Sequence, residues 1–394
     1  MLERVQPATV EESLNGAASA RDACVAVRRL TLTDFRSYPS LRLEVDVRPV
    51  VLTGLNGAGK TNLLEAISYL VPGRGLRRAR LSEVGRGGTH PWAVAAEIGI
   101  GELDHAVGTG YRPEPGARAE KRQVRIDGTP AKSQAELGRV ASAQWLTPQM
   151  DRLFLEGPSG RRRFLDRLIL GFDPDHAGPL AAYEHSLRSR NKLLKDGVRD
   201  TGWLASVEES MAAHGVAVAV RRLEAIERLH PLCGVAFGPF PGAEVRLTGA
   251  LEDWLAEGPA LAAEERMRAA LQASREDDFG MGSAGVGPHR SDLAVRHTGN
   301  GAEAARCSTG EQKALLVSLV LAAARLQARE RGHMPLLLLD EIAAHLDPER
   351  LAALFDLLSD LGAQAWMTGT DPRLFAAWGD RAQMITVREG TLFA

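Results

Sequence analysis

The alternation of hydrophobic and polar residues changes character along the chain. Residues 25–53 alternate with a period of two, and the same pattern returns at 92–100, 105–111 and 123–128. This period predicts β-strands with one buried face. The segment NLLEAISYL at 62–70 instead has the i, i+3, i+4 spacing of a helix. The first part of the chain is therefore predicted to be a twisted sheet with a helix packed on it.

Longer helices are predicted in the middle of the chain. Between about 160 and 235, apolar residues recur at helical spacing in three segments, with breaks at 173–175 and 197–200. These segments are too short and interrupted for a long coiled coil, which needs sustained heptads. A strand at 243–249, a helix at 259–276 and a strand at 287–297 follow. We expect a mainly helical lobe over residues 151–279.

The last hundred residues alternate between the two patterns. Helices are predicted at 311–331 and 348–361, strands at 335–340 and 363–369, and a pair of short strands at the end. Such alternation favours a parallel sheet. The expected fold class is α/β, a mixed sheet plus a parallel sheet with helices, formed by residues 26–150 and 280–394 around the inserted helical lobe.

Composition adds limits to this picture. With 394 residues, 44% of them hydrophobic, the chain can bury one large core or two to three ordinary ones. A net charge of −2 gives no global basic field for nucleic acid, although arginines cluster locally. Cys24, Cys233 and Cys307 lack CxxC spacing, which argues against a zinc site or a disulfide framework and fits a reducing cytoplasm.

Targeting signals are not evident in the sequence. No apolar run approaches the ~20 residues that span a bilayer. Residues 1–25 carry Glu3, Glu11 and Glu12 among small polar residues, without an apolar h-region. They predict a flexible leader rather than a signal peptide, and we expect a cytoplasmic protein.

Residues 54–61, GLNGAGKT, match the phosphate-loop pattern G-x-x-x-x-G-K-[ST] between a predicted strand and a predicted helix. Backbone N–H groups in such a loop bind phosphate oxygens, Lys60 neutralises their charge, and the Thr61 hydroxyl is a ligand for Mg²⁺. The alternative, a chance glycine turn, is disfavoured by these flanks. The candidate nucleotide-binding residues are Gly54, Leu55, Asn56, Gly57, Ala58, Gly59, Lys60, Thr61 and Asn62.

The segment LLLLDE at 336–341 has the apolar run of a buried parallel strand. Its end would deliver Asp340 and Glu341 to the sheet edge where ligands bind in α/β folds. Asp340 suits Mg²⁺ and Glu341 suits activation of an attacking water, so Glu341 and Lys60 are the candidate catalytic residues. Alternatively, the acidic pair caps the following helix. The separation of 280 positions from Lys60 to Asp340 indicates a large insertion.

The segment CSTGEQ at 307–312 opens the predicted helix that precedes LLLLDE. Ser308 can cap this helix, and Glu311 three residues later completes a capping box. Thr309 and Gly310 would bring the backbone close to an anion at the positive end of the helix dipole. The capping and anion-binding interpretations are compatible.

The order of these motifs resembles the ABC-type ATPase head. In that family, two heads enclose two ATP molecules, and the signature of one head covers the γ-phosphate on the other. The resemblance implies signature residues Ser308, Thr309, Gly310 and Glu311, where Glu311 replaces the usual glutamine. It also implies a D-loop, the turn after the DE strand, at His345, Leu346 and Asp347.

A narrower resemblance covers the chain from about residue 27 to its end. The segments LTDFRSYPSL, GRGLRR, TPQMDRLFLEGPSGRRRFLD, YEHSLRSRNKLLK, GPHRSDL and MTGTD together resemble the RecF family of bacterial recombination-mediator ATPases, relatives of the SMC heads. The resemblance implies cofactors ATP and Mg²⁺ and an ATP-dependent homodimer on duplex or gapped DNA. It further implies a role in DNA repair and replication with RecR, RecO and RecA as partners.

Residue roles also follow from the resemblance. Gln149 corresponds to the Q-loop glutamine, a third metal ligand beside Thr61 and Asp340. Gln144 is the alternative candidate for this role. Thr370 stands where ABC heads have a switch histidine, so slow hydrolysis is expected.

Two further segments of this resemblance leave alternatives open. Arg36 and Ser37 are placed near the adenosine side of the nucleotide, although Arg36 could be an ordinary turn arginine. His289 and Arg290 could face the nucleotide or the edge of the sheet, or they could belong to a structural turn.

Three basic clusters are candidates for contact with DNA phosphates. Each could instead be a solvated face, but together they favour a local electrostatic footprint that binds without reading sequence. Few aromatic residues accompany them, so contact with the duplex backbone is favoured over base stacking. The candidates are Arg74, Arg77 and Arg78 (with Arg80 and Arg86 nearby), Arg161, Arg162 and Arg163, and the cluster Arg188, Arg190, Lys192 and Lys195.

The motifs favour an ATP-dependent protein that closes on DNA, and three other classes of protein are alternatives to it. An ABC transporter subunit would keep its head compact, and a long-armed SMC protein would need heptads that the chain lacks between 165 and 335. A binding module that uses ATP only as structural glue stays open.

Overall fold

The computed structural model describes residues 24–88, 91–113, 116, 120–198, 200–344 and 346–393. Nearly all of the predicted leader therefore lies outside the described residues. The chain divides into two compact units: a first unit up to Thr147 and from Gln327 onward, and a second unit, Pro148–Leu326. The predicted helical lobe, residues 151–279, falls within the second unit, as do residues 280–326, which the sequence pattern assigns to the head.

The first unit contains an antiparallel sheet in the order β2-β1-β4-β5-β6-β7. Its strands lie where the alternation of apolar and polar residues predicted them. In β1, for example, the side chains of Leu30 and Leu32 are fully buried. The bounds are β1 Val25–Phe35, β2 Tyr38–Glu44, β4 Trp92–Ile100, β5 Leu103–Tyr111, β6 Arg122–Ile126 and β7 Thr129–Pro130.

A second sheet of the same unit runs in the order β14-β13-β3-β12-β11-β8. Its strands pair in parallel, except for the antiparallel pair of β13 with β14. All four residues of β11 are buried, as expected for a parallel strand covered on both faces. The bounds are β3 Val50–Thr53, β8 Ala143–Leu146, β11 Leu336–Leu339, β12 Ala365–Gly369, β13 Gln383–Arg388 and β14 Thr391–Phe393.

Buried side chains join the two sheets of the first unit. The Gln364 amide accepts a hydrogen bond from Val27 N–H at 2.8 Å and donates to the carbonyls of Val27 and Asp46. Phe35, Tyr69 and Trp92 form an aromatic cluster between β1, β4 and the helix after β3. The helices are α1 Lys60–Ser68, α2 Leu81–Val84, α3 Leu137–Val140 and α11 Pro348–Leu361.

The second unit is mainly helical, and the strand pair β9 and β10 lies within it. Its core includes Tyr183, Met211 and Met267. The bounds are α4 Pro158–Phe172, α5 Ala177–Lys195, α6 Thr201–Cys233, β9 Ala243–Thr248, α7 Ala250–Glu257, α8 Ala260–Ala273, α9 Arg275–Met281, β10 Asp292–His297 and α10 Thr309–Arg331, which crosses the division at Leu326.

Two element predictions for this region need correction. The helix expected at 259–276 ends at Ala273, and a separate α9 follows, where the Ser274 hydroxyl bonds to the Asp278 carboxylate at 2.7 Å. The strand expected from residue 287 begins only at Asp292, because Gly287 adopts φ +138° in a turn. Local hydrogen bonding and a left-handed glycine thus override the apolar spacing.

None of the helices in the described part of the chain combines the length and the apolar character that crossing a bilayer demands.

Candidate functional site

The phosphate loop joins β3 to α1, which begins at Lys60 directly after the cap residue Gly59. Gly54, Gly57 and Gly59 have φ values of +145°, +81° and +111°. Residues other than glycine rarely adopt these backbone angles. A turn of this kind presents successive N–H groups to an anion. The strand, loop and helix expected around GLNGAGKT are all present.

Two distant segments hold the loop from either side. A Cβ added at Gly54 would lie 2.2 Å from the Val387 carbonyl oxygen on β13, so only glycine fits. The Gly390 N–H, in the β13–β14 turn, donates to the Ala58 carbonyl at 3.1 Å. The Tyr38 hydroxyl donates to the Gly59 carbonyl, also at 3.1 Å. These contacts have no local signal in the sequence, because the partners stand far apart along the chain.

The ammonium of Lys60 lies at the centre of the loop. Its Nζ donates to the carbonyls of Gly54 at 2.7 Å and Leu55 at 3.0 Å. The same Nζ is 3.7 Å from Glu341 Oε1, and the Lys60 side chain is only 3% exposed. The fold therefore brings the two predicted catalytic residues together from opposite ends of the chain.

Asp340 is the point of contact between the loop and the end of β11. Its Oδ1 accepts hydrogen bonds from the hydroxyls of Thr61 and Thr368, both at 2.8 Å. The helix cap that was the alternative role for this acidic pair is provided elsewhere, since Asp347 caps α11. Asp340 and Glu341 therefore lie beside the phosphate loop, and their roles toward Mg²⁺ and water stay predictions.

The donor set around Asp340 fits Mg²⁺. A threonine hydroxyl and a carboxylate oxygen are hard ligands, and Mg²⁺ at such sites usually keeps water and phosphate oxygens as its remaining ligands. Among the described residues, no group of three or more histidine, cysteine or acidic side chains could hold a metal by itself. Thr61 and Asp340 would hold the ion. Gln149 lies in the second unit, exposed in the 3₁₀ turn Pro148–Arg152, and its role as a third ligand stays a prediction.

Thr368, on β12, is a site residue that the sequence reading missed. Its hydroxyl donates to Asp340 Oδ1 and accepts a 2.7 Å hydrogen bond from the Glu341 N–H. One side chain therefore orients both acidic residues. A threonine in an apolar strand resembles any β-branched strand residue, so its spacing gave no signal.

Replacing Thr368 by valine is expected to lower ATP turnover by about 10- to 100-fold. Valine keeps the shape of the side chain but leaves the Glu341 N–H and the Asp340 carboxylate without this partner, a loss of roughly 1–3 kcal/mol. The measurement is steady-state phosphate release over a Mg²⁺ titration. Thr391→Val, at an exposed position on β14, is the matched control. Equal turnover in both variants would show that Thr368 has no role in ATP turnover.

Arg36 and Ser37 are fixed on the phosphate-loop helix. Arg36 forms a two-bond ion pair with the fully buried Glu65 of α1, at 2.9 and 2.6 Å, and donates to the Glu83 carbonyl. Ser37 Oγ accepts from the Asn62 amide at 2.9 Å. Arg77 bonds to the same Glu65 and to Asn62. Contact of Arg36 with the adenosine stays a prediction, and Glu65 is a further residue that spacing did not single out.

The basic clusters differ in how far they are available to DNA. Arg74 and Arg78 are exposed on the segment after α1. Arg163 is exposed on α4, whereas Arg161 is held by Asp292 at 2.7 and 2.8 Å and Arg162 by the Ser291 carbonyl at 2.6 Å. These contacts favour a structural role for Arg161 and Arg162.

In the third cluster the prediction for Arg190 is wrong. This side chain is completely buried, with its guanidinium bonded to Glu208 and Asp278. An arginine without exposed surface is not available to a phosphate backbone.

The predicted signature forms the N-terminus of α10. The Ser308 N–H donates to Glu311 Oε2 at 2.8 Å, and the Glu311 N–H donates to Ser308 Oγ at 3.3 Å. The capping box is therefore present, and Thr309 and Gly310 lie in the first turn of the helix. In the predicted D-loop, Leu346 is partly buried, while His345 lies outside the described residues. The role of both segments toward a second chain stays a prediction.

The segment GPHRSDL forms a turn anchored within the second unit. His289 Nδ1 accepts a 2.5 Å hydrogen bond from the Tyr183 hydroxyl, and its Nε2–H donates to the Ala284 carbonyl at 2.8 Å. Burial lowers the pKa of His289 to about 4, so the ring is neutral at pH 7. Arg290 also donates to Ala284. These contacts favour the structural alternative. Gln144, the alternative Q-loop candidate, is fully buried on β8.

Comparison with known proteins identifies the family. The RecF/RecN/SMC N terminal domain matches residues 26–392. The DNA replication and repair protein RecF of Rhizobium etli is 50% identical over 372 residues, 94% of this chain and 99% of the relative. That of Agrobacterium fabrum is 48% identical over the same lengths.

Solved structures agree on the fold. A structure of the recombination mediator protein RecF with ATPrS aligns with a TM-score of 0.81 at 24% identity, covering 94% of this chain and 98% of the other. An SMC head domain from Pyrococcus furiosus aligns with a TM-score of 0.51 at 16% identity, covering 93% and 95%. The resemblance drawn from the motifs is confirmed, and the chain belongs to the RecF family.

Proposed function

We propose that this chain is a slow, DNA-linked ATPase of DNA repair and replication, which closes as a dimer over two ATP molecules while it holds DNA. The observation that carries the proposal is the convergence of Lys60, Thr61, Asp340 and Glu341 at one loop. Support for the biological role comes from the relatives named DNA replication and repair protein RecF.

The chemistry follows from the positions of these side chains. Mg²⁺, when bound, would neutralise phosphate charge. Lys60 lies where it can approach the β- and γ-phosphates, and Glu341, beside it, can orient a water and accept its proton. Thr61 and Asp340 form the polar edge on which the metal would rest.

The remaining parts of the proposal rest on family membership. Ser308, Thr309, Gly310 and Glu311 would cover the nucleotide of a second copy, with the positive end of α10 toward its γ-phosphate. Leu346 and Asp347 would contribute to the same interface between the two copies, together with His345. Partnership with RecR and RecO is proposed because the RecF protein of similar fold belongs to the RecFOR pathway. RecA is proposed as a further partner on the resemblance of the motifs. A cytoplasmic location is proposed because the relatives are named for DNA replication and repair, which take place in the cytoplasm of bacteria.

Sedimentation of the protein tests this proposal. We expect a monomer with ADP, a dimer with ATP, and a DNA-bound dimer with ATP and gapped duplex. Ser308→Arg should abolish the dimer and ATP turnover, because the bulky cation would occupy the interface between the two copies. ATP binding by the monomer should stay intact. Ser206→Arg, at an exposed position on α6, is the matched control. A Ser308→Arg variant that still dimerises would contradict the arrangement.

A further inference from the structure

A basic cleft lies in the first unit, away from the phosphate loop. It has a volume of about 1050 Å³ and lies between the segment after α1, residues 73–81, and the β6–β7 hairpin with the residues that follow it. Among its described lining residues, six are cationic and one is acidic. The cations are Arg74, Arg80, Lys121, Arg122, Arg125 and Lys132.

Arg122 gives the cleft a fixed positive charge. Its guanidinium donates to the carbonyls of Tyr69 and Gly73, to the Thr109 hydroxyl and to Gln134, and none of these partners is a carboxylate. Burial lowers the pKa of Arg122 to about 10, which leaves it charged at pH 7. The hydrogen bonds hold the two walls together without cancelling the charge.

Glu120, the one acidic residue among the described residues of the lining, already has hydrogen-bond partners. Its carboxylate accepts hydrogen bonds from the Leu81 N–H at 2.7 Å and from the N–H and hydroxyl of Ser82. The Ser82 hydrogen bond helps to hold the pKa of Glu120 below its usual value. Glu120 thus fastens one wall to α2 and offsets only part of the positive charge.

The remaining cations lie on the exposed rim. Lys121, Arg125 and Lys132 are exposed on one wall, and Arg74 and Arg80 on the other. Within the described residues, no ion pair joins Lys121, Arg125 or Lys132 to a carboxylate. This local excess of positive charge contrasts with the net charge of −2 for the whole chain.

The chemistry of the lining selects the class of ligand. Positive charge spread over two walls suits a polymer with regularly repeated anions. No aromatic side chain occurs among the described residues of the lining, so stacking of unpaired bases has no platform here. A duplex sugar-phosphate backbone meets both conditions.

We propose that this cleft binds the phosphodiester backbone of duplex DNA, with Lys121, Arg125 and Lys132 as the principal contacts. The inference rests on the proposed DNA-binding function and assigns it a surface. It adds the β6–β7 hairpin region to the contacts expected from Arg74, and it is independent of Arg161 and Arg162.

The test uses the full chain carrying Lys121→Ala, Arg125→Ala and Lys132→Ala together. With ATP, binding of a labelled duplex is measured by fluorescence anisotropy over a range of salt concentrations. We expect affinity to fall about tenfold or more, and the slope of log K against log salt to shrink by up to about 3, one per lost phosphate contact. ATP affinity, measured with a fluorescent analogue, should be unchanged.

The matched control removes three exposed, ion-paired arginines of the same unit, with Arg42→Ala, Arg48→Ala and Arg381→Ala. It causes the same change in net charge, so an equal loss of affinity in the control would overturn the assignment of the cleft. If the cleft variant kept the wild-type affinity and salt slope, the assignment of the cleft would also be wrong, but the proposed function would not be affected. Absence of DNA binding by the wild-type protein would instead refute the DNA-binding part of the proposed function. If the cleft variant lost binding to poly-glutamate but kept its binding to DNA, the ligand of the cleft would be an acidic protein segment and not DNA.

Discussion

Glu341→Gln is expected to reduce ATP turnover by roughly 10²- to 10⁴-fold, the usual contribution of a positioned general base. The substitution keeps the size of the side chain and removes the group that can accept a proton from water. Glu341 has φ +52°, an angle uncommon for residues other than glycine, and its N–H is held by Thr368. Its carboxylate is therefore presented 3.7 Å from Lys60 by a constrained backbone, which a glutamine should inherit.

The same variant should accumulate the ATP-bound dimer, because in the proposed cycle the dimer closes before ATP is hydrolysed. Light scattering at saturating ATP measures the dimer, and phosphate release measures turnover. Glu349→Gln, at an exposed position in the first turn of α11, removes an equal charge from the same region and should retain wild-type turnover. If Glu341→Gln stayed monomeric with saturating ATP, the two-nucleotide dimer would be wrong.

Arg190→Met is expected to destabilise the second unit by about 3–5 kcal/mol. Arg190 is completely buried, and its guanidinium donates to Glu208 at 2.9 Å, to Asp278 at 2.7 Å and to the Leu271 carbonyl at 2.6 Å. Methionine fills similar space but leaves two buried carboxylates short of a cation, which is the costly way to break a buried ion pair. Glu208 retains Arg275 at 2.6 Å, so the loss should be centred on Asp278.

Chemical denaturation gives the size of this loss, and hydrogen exchange in α5, α6 and α9 gives its location. The chain offers a close control two residues away on α5. Arg188 pairs with Glu184 at 3.5 Å with both side chains more than half exposed, so Arg188→Met should cost no more than about 0.5 kcal/mol. Similar stabilities for the two variants would show that the buried network does not hold the unit together.

What the sequence could predict depended on how local the signal was. The phosphate loop, the strand before Asp340 and the capping box at Ser308 are each written in a few adjacent residues, and each has the expected geometry. That Thr61 and Asp340 lie at one site followed from combining two local motifs with the rule for parallel sheets, whereas their direct hydrogen bond is seen only in the structure.

The supporting residues escaped prediction because their partners are distant in sequence. Thr368 reaches Asp340 only after β12 pairs beside β11, and Gly54 meets Val387 only after β13 pairs with β3. Arginines were the least predictable residues. Arg163 and Arg190 both occur in basic clusters, yet one is exposed and the other is completely buried. Burial is decided by tertiary packing, which residue type and charge spacing do not encode.

The placement of β3 has a consequence for synthesis of the protein in the cell. Among the described strands, the one that leads into the phosphate loop pairs with β12 and β13, so its first partner emerges from the ribosome roughly 310 residues later. At about 5–20 residues per second, β3 waits roughly 15 to 60 seconds. The antiparallel sheet from β1 to β7 can form early, but the nucleotide site forms only with the end of the chain. A chain that stops before β13 lacks the Val387 and Gly390 contacts that hold the phosphate loop.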